Sequence, residues 1–381
     1  MYREINEKIK SELLKDDKVV VLLGPRQVGK TTLLKNQFPE ATYINLELGN
    51  YIDIFNTREL SKINKVLNLG TDSNTKEVLI LDEVQRLDDP GLVAKVIHDE
   101  LKNVKLIISG SSALEIAHKA SESLAGRKRS YLLYPLSFKE KLSQENKLSN
   151  NQSINITEEI KEAMLYGFYP ELLNINSRSD KKEYLKELVD SVIMKDIYYL
   201  NLVKNTKNII SLLTLLAYQI GQQINVTELS SRIGIARATV EDYLSILKKT
   251  FIIFTLAPYT KKRRDEISKM EKVYFYDLGL RNALINDFSL PEYRRDYGNL
   301  FENFVITEFI KQNSYNDLDK KFYYWRTKWG TEVDLVATKD DKLEAIEIKT
   351  RKGKITASFK NTYPEATERV ITMENASKYL L

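Results

Sequence analysis

The sequence predicts an α/β protein with a parallel sheet near its N-terminal end, a helical middle, and a second, smaller α/β region near its C-terminal end. Three observations carry this expectation. Between residues 19 and 135 short apolar runs alternate with helical patterns, the order of right-handed βαβ units. A glycine-bearing loop, "GPRQVGKT", joins the first of these runs to the first helical pattern. Towards the other end, "EVDLVATKDDKLEAIEIKT" (332–350) alternates carboxylates with apolar residues over two short runs and ends on a lysine, the period of β-strands.

Taken in order, Tyr2, Ile5, Ile9 and Leu13 recur at helical spacing and predict an amphipathic opening helix. "KVVVLLG" is continuously apolar, as expected of a strand covered on both faces of a parallel sheet. "TYINLE" (42–47), "EVLILDE" (77–83), "VKLIISG" (104–110) and "RSYLLYP" (129–135) are four further strands. The polar stretch "SQENKLSNNQSINI" (143–156) then marks a boundary. Helical patterns follow at 179–200 and in "NIISLLTLLAYQIGQQ", and residues 224–250 fit a helix-turn-helix. In it Leu229 and Ile233 lie on one apolar face, Gly234 makes the turn, and Val240, Leu244 and Leu247 continue the second helix. "FIIFTLAPY" and "KVYFYD" pair as a wing. The expected domains are 1–155, 156–222, 223–290 and 291–381.

Composition bounds the function. A length of 381 residues suits two or three domains, and 43% hydrophobic with 29% charged residues fits a globular chain. A net charge of +5 on 58 basic and 53 acidic residues is too slight to imply a polyanionic partner, so local clusters must decide. With no cysteine, disulfides and thiolate–metal sites are excluded, and His98 and His118 offer no zinc pattern. The opening residues lack an apolar signal core, and no run approaches the roughly 18 apolar residues needed to span a bilayer. The expectation is a cytoplasmic protein without membrane partners.

"GPRQVGKT" is a full match to G-x-x-x-x-G-K-S/T. Backbone N–H groups of such a loop wrap around phosphate oxygens, which side chains at Gly24 and Gly29 would obstruct, while the next helix points its N-terminus at the same anion. Gly24, Pro25, Arg26, Gln27, Val28, Gly29, Lys30, Thr31 and Thr32 form the expected ATP cradle. Lys30 reaches the β- and γ-phosphates and Thr31 ligates Mg2+. In "LILDEVQ" a strand delivers carboxylates at its C-terminal end, Asp82 to hold the magnesium through water and Glu83 to polarise the attacking water. At the end of the next strand Ser109, Ser111 and Ser112 offer a hydroxyl to sense the γ-phosphate, with Ser111 chosen, or serve as helix N-caps. Arg127 and Arg129 precede the last strand, either as a finger to the γ-phosphate, in cis or from a neighbour, or as a solvated basic turn.

These segments, with "SGSSAL", "LAGR", "PLSFKE", "YGFYPELL", "YFYDLGL" and "FENFV", resemble the bacterial and archaeal AAA+-like P-loop ATPases that carry a C-terminal PD-(D/E)XK nuclease-like domain. The resemblance runs over nearly the whole chain. It implies an AAA+-like sheet, a helical and winged-helix region, and a C-terminal restriction-endonuclease-like α/β domain. It favours Arg127 over Arg129 as the finger, and it places Gly167 and Pro170 in a lid over the nucleotide. Two departures stand out: Phe168 replaces the second lid glycine, and "KMEK" replaces the lysine–proline pair usual before "YFYDLGL".

At the C-terminal end, "YGNLFENFVITEFIKQ" (297–312) is a helix, and "KFYYWRT", "TEVDLVAT", "KLEAIEIKT" and "ERVITM" are strands, in the αβββ–αβ order of such nucleases. Strand period puts Glu332 with Asp334 on one face and Glu347 with Lys349 on one face of the next strand, with Val333, Leu335, Ile346 and Ile348 inward. Asp334 and Glu347 can bind Mg2+, Lys349 can activate a water, and Glu302 is a further metal ligand. The plain alternative is a half-exposed sheet with its charges towards water. Arg237, the Lys261–Arg264 cluster and "KTRKGK" (349–354) suit DNA phosphates, although a winged helix serves equally as a structural lid. The sequence thus predicts an ATP-hydrolysing protein acting on nucleic acid, with self-association if Arg127 works from a neighbour. The competing class is a nucleotide-gated binding module that does not cut.

Overall fold

The computed structural model describes residues 2–15, 18–67, 77–111, 123–148, 155–192, 205–260 and 270–381. The chain forms two compact units, residues 1–134 with 249–251, and residues 135–248 with 252–381.

The first unit is built on a five-stranded sheet of β1 (Val19–Leu23), β2 (Thr42–Asn45), β3 (Glu77–Asp82), β4 (Val104–Gly110) and β5 (Lys128–Leu132). The order is β2-β3-β4-β1-β5 and every pairing is parallel. Helices Lys30–Gln37 and Pro90–Glu100 are among its crossovers, and the second is capped by Asp89, whose side chain accepts from Leu92 N. Val19 to Leu22 are each at most 1% exposed, which is why β1 reads as one apolar run without alternation. Because the strands are parallel, the loops after β1, β3 and β4 all leave from one edge of the sheet. The opening helix begins at Asn6 and buries Ile9 and Leu13, with Ile5 buried just before it. Tyr2, expected on its apolar face, precedes the first turn and is 51% exposed.

In the second unit the helix Phe138–Gln144 opens with a reciprocal capping box between Ser137 and Glu140. Phe138 N also donates to Glu308 Oε2 at 2.8 Å, and Glu308 pairs with the buried Lys311 at 2.7 Å, so "PLSFKE" is tied to the helix Tyr297–Tyr315. This attachment explains why the compact division falls at residue 135, ahead of the polar stretch, of which 149–154 lie outside the described residues. Helices Val226–Ile233 and Arg237–Lys249 follow the expected helix-turn-helix, and β6 (Ile253–Leu256) pairs antiparallel with β7 (Lys272–Phe275).

Beyond them come the helix Tyr297–Tyr315, β8 (Lys321–Arg326), β9 (Glu332–Lys339), β10 (Lys342–Ile348), the helix Ala357–Thr362 and β11 (Thr367–Ile371). The sheet order is β11-β10-β9-β8, with β11 parallel to β10 and the other pairs antiparallel. The expected element order is therefore the one found. The half-exposed alternation that stood as the plain alternative is not: Val333 and Leu335 are buried as predicted, yet Asp334 between them is only 4% exposed and Glu347 only 6%. Carboxylates tolerate such burial only when paired or hydrogen-bonded, and these are. No helix among the described residues is long and apolar enough to cross a membrane.

Candidate functional site

In the first unit the loop after β1 is shaped by close approach. Gly24 adopts φ 157°, and a Cβ there would lie 2.2 Å from the Leu133 carbonyl oxygen, so no other residue fits. Gln27 (φ 59°) and Gly29 (φ 91°) are left-handed, which turns successive amides towards one concave side, an anion-binding arrangement. Pro25 and Val28 are buried, Arg26 is half-buried, and Gln27 and Thr32 are exposed. Lys30, the first residue of its helix, is buried and donates from Nζ to the Gly24 and Pro25 carbonyls at 2.8 Å each.

Thr31 Oγ1 donates to Asp82 Oδ2 at 2.6 Å, which leaves the hydroxyl's lone pairs free to face a cation. Asp82 ends β3 and accepts three more bonds, from Ser109 Oγ at 2.5 Å, Tyr43 OH at 2.7 Å and Glu83 N at 3.0 Å. Burial alone would raise the Asp82 pKa, but the bonds from Ser109, Thr31 and Tyr43, with the Lys30 charge, outweigh it and hold the carboxyl below its usual range. Burial, reinforced by that same bond to Asp82, pushes the Tyr43 phenol well up, so it stays a neutral donor. Glu83 is left-handed (φ 59°, ψ 40°), an uncommon conformation for a side chain of its size and one that gathers at functional turns. Gln85 Nε2 donates to Glu83 Oε2 and, at 3.2 Å, to Ser111 Oγ. The expected Thr31, Asp82, Glu83 and Ser111 are thus joined, with Tyr43, Ser109 and Gln85 as links the motifs did not name. Ser112 lies outside the described residues.

Arg3 was also missed. Its guanidinium is 1% exposed and donates from Nη1 to the Val28 carbonyl at 2.8 Å and from Nη2 to the Tyr134 carbonyl at 2.6 Å. In a trans peptide C=O and N–H point opposite ways, so fixing Val28 C=O towards Arg3 turns Gly29 N–H to the other side of the loop.

The structure corrects one half of the Arg127 expectation. Arg127 O accepts from Val19 N at 2.8 Å, at the start of β1, whereas the phosphate loop leaves its end. The run from Val19 to Gly24 spans about 16 Å at the rise of a strand. Arg127 Nε instead pairs with Asp99 at 3.0 Å, half exposed, so a reach to the phosphate loop in cis is excluded. Arg129 pairs with Glu12 at 2.9 Å.

In the second unit Lys349 Nζ lies 2.7 Å from Asp334 Oδ2 and 2.8 Å from Glu347 Oε1, and Ile348 N donates to the same Asp334 oxygen at 2.8 Å. The antiparallel register of β9 and β10, with Leu335 opposite Ile346, makes this meeting possible. Burial and the neighbouring Asp334 push the Glu347 carboxyl up. Burial would lower the Lys349 pKa, but both carboxylates outweigh that and raise it. Glu347 Oε2 is buried without a hydrogen-bond partner.

Glu302 is not arranged as the expected third ligand. Its Oε1 accepts from Tyr274 OH at 2.7 Å and faces Lys272 Nζ at 3.3 Å, and Lys272 also bonds Glu332. Among the described residues no group of three or more His, Cys, Asp or Glu side chains is set to hold a metal ion. Burial, with Asp334 and Glu332 adding to it against Lys272, pushes the Glu302 carboxyl up to about 7.

Gly167 and Pro170, expected over the nucleotide, have a local explanation within this unit. Gly167 has φ 72°, and a Cβ there would lie 2.1 Å from Asp277 Oδ1. Asp277 accepts from Phe168 N at 2.6 Å and caps the helix Leu278–Leu284 through Leu280 N at 2.9 Å, so "YGFYP" and "YFYDLGL" form one packed joint. Pro170 opens the single turn Pro170–Leu173. Arg237 is exposed at the start of its helix, and Lys261–Arg264 lie outside the described residues.

A five-stranded parallel sheet with β4 between β1 and β3, and a P-loop threonine bonded to the aspartate ending β3, define a P-loop NTPase fold. Residues 16–142 match the family model of an AAA domain, residues 157–290 that of a domain of unknown function (DUF8612), and residues 297–380 that of another (DUF4143). The chain is 26% identical over 359 residues to an uncharacterised protein of Methanocaldococcus jannaschii, covering 90% of this chain and 77% of that one. It is 24% identical over 347 residues to an uncharacterised protein of Haemophilus influenzae, covering 87% and 82%. Its fold is similar to that of a Walker-type ATPase of Pyrococcus abyssi, with a TM-score of 0.50 at 16% identity over 74% of this chain and 95% of that one.

Proposed function

We propose that the first unit binds ATP with Mg2+ and hydrolyses it. The observation that carries this reading is the Thr31–Asp82 bond at 2.6 Å, which turns the threonine hydroxyl into a cation ligand beside the loop that ends on Lys30. Thr31 would hold the magnesium, backed by Asp82, and the ion would neutralise charge on the phosphate oxygens. The amides around Gly29 and the Lys30 ammonium bind the phosphates, so Lys30 exchanges its bonds to Gly24 O and Pro25 O for phosphate oxygens. Glu83, held by Gln85, orients and deprotonates the attacking water, and Ser111, bonded to the same glutamine, registers the γ-phosphate. Arg127, excluded in cis, serves a second copy of the chain.

The second unit is read as a divalent-cation site for phosphodiester chemistry on nucleic acid, with DNA the expected partner. Support comes from the unpartnered Glu347 Oε2 beside Asp334, an acceptor left for a cation. Asp334 and Glu347 would hold the ion, which would supply Lewis-acid activation of a phosphoryl oxygen, and Lys349 positions the water. The exposed run Arg351–Lys354 gives the same end of the sheet positive charge for phosphates. An assay of ATP turnover with and without DNA, run beside plasmid cleavage in Mg2+ or Mn2+, tests both readings. Turnover without any cleavage would assign the second unit to binding alone, and absent turnover would remove the ATPase reading.

A further inference from the structure

We propose that the Lys272 ammonium is a built-in cation of the C-terminal carboxylate site, filling the place between Glu302 and Glu332 that a second metal ion would otherwise take. This rests on the reading of Asp334 and Glu347 as ligands of one divalent ion.

Two lysines face the four carboxylates, and their surroundings differ. The Lys349 side chain is 43% exposed, so it can swing to solvent and yield Asp334 and Glu347 to an ion. The Lys272 side chain is 4% exposed, lies 3.3 Å from Glu302 Oε1, bonds Glu332, and sits 5.5 Å from the centre of the Tyr324 ring. Its backbone is held from both sides, paired with Leu256 on β6 and bridged to Gln223. An ammonium buried this far is retained by its counter-charges, here Glu302 and Glu332, the second of which also pairs with Arg326 at 3.5 Å. The Tyr274 hydroxyl completes the Glu302 Oε1 shell at 2.7 Å. Glu302 is thus committed to Lys272 and Tyr274 and is not offered to the ion at Asp334.

The test is Mn2+ binding to the full chain without nucleotide, counted by titration calorimetry with free Mn2+ followed by electron paramagnetic resonance. The wild type is expected to bind one ion that Asp334→Asn loses. Lys272→Met is expected to gain one ion more than the wild type, the gain disappearing in Lys272→Met with Glu302→Gln, and Lys272→Arg is expected to keep the wild-type count. Glu302→Gln alone, which preserves size and shape, is expected to keep the wild-type count and to change the affinity by less than about tenfold. A loss of about tenfold or more in Glu302→Gln, the scale of removing a ligand or its support, would make Glu302 a ligand and overturn the proposal whether or not Lys272→Met folds. A wild-type count in folded Lys272→Met would overturn it equally. If the wild type binds no ion, the reading of Asp334 and Glu347 fails separately, and an ion gained only in Lys272→Met still supports Lys272 as the cation.

Discussion

Arg3 and Val28 are joined by a 2.8 Å bond from a buried guanidinium to a carbonyl of the phosphate loop, 25 residues along the chain. The second arm of the same guanidinium holds the Tyr134 carbonyl at 2.6 Å. The loop's shape is therefore set in part by a residue outside the motif, and outside residues 16–142 that match the AAA domain.

Arg3→Lys should weaken ATP binding. A single ammonium cannot reproduce the planar fork that reaches two carbonyls, and charge-assisted bonds are worth roughly 1.5–3 kcal/mol each. The expected loss is about tenfold in nucleotide affinity, read by fluorescent-nucleotide titration, with a smaller proportional change in turnover at saturation. Unchanged affinity alongside a lowered melting temperature would make Arg3 a fold element only.

Arg127→Ala should leave ATP affinity intact and lower turnover strongly, since a finger contributes about a thousandfold or more. From its place just ahead of β5 it would act as a finger only on a second copy, so mixing is decisive. Arg127→Ala and Glu83→Gln, each nearly inactive alone, should recover activity together, because a mixed pair holds one intact Glu83 facing one intact Arg127. No recovery at any concentration would leave Arg127 as the solvated partner of Asp99.

The raised Glu302 carboxyl predicts a pH dependence with a definite sign. Its folded pKa of about 7 lies above the ordinary value of 4.5, so between these the folded state holds the proton more than the unfolded one. Stability from this group is full below about 4.5 and is lost as pH rises through 7. Urea midpoints measured from pH 5 to 8 should fall with rising pH in the wild type and fall less in Glu302→Gln. Parallel curves for the two proteins would assign the dependence to other groups.

How much was legible beforehand depended on how far apart in the chain the cooperating residues lie. "GPRQVGKT" is contiguous, and the end of an apolar strand marks Asp82, so Lys30, Thr31, Asp82 and Glu83 could be named from local pattern. Arg3 and Lys272 could not, because each acts on partners 25 to 131 residues away and nothing near them in sequence records the pairing. Arg127 was preferred to Arg129 by resemblance, but only the direction of β5 beside β1 shows which edge of the sheet it occupies. The alternation in β9 and β10 left charges facing water open as the alternative. It does not hold because Lys349 pairs with both carboxylates and Ile348 N–H bonds Asp334, so the fold can bury them. For Gly167 the resemblance supplied a nucleotide lid, whereas the glycine requirement itself comes from Asp277, 110 residues later.

The central claim, that the Lys30 loop and the Asp82–Glu83 strand end form a working ATPase, is tested most directly by measuring binding and steady-state hydrolysis of ATP with Mg2+ on three proteins. The account predicts that the wild type binds and turns over, that Lys30→Ala loses tight binding, and that Glu83→Gln binds ATP as the wild type does while hydrolysing at least about a hundredfold more slowly, the scale of general-base loss. Wild-type turnover in Glu83→Gln, or full ATP affinity in Lys30→Ala, would contradict it.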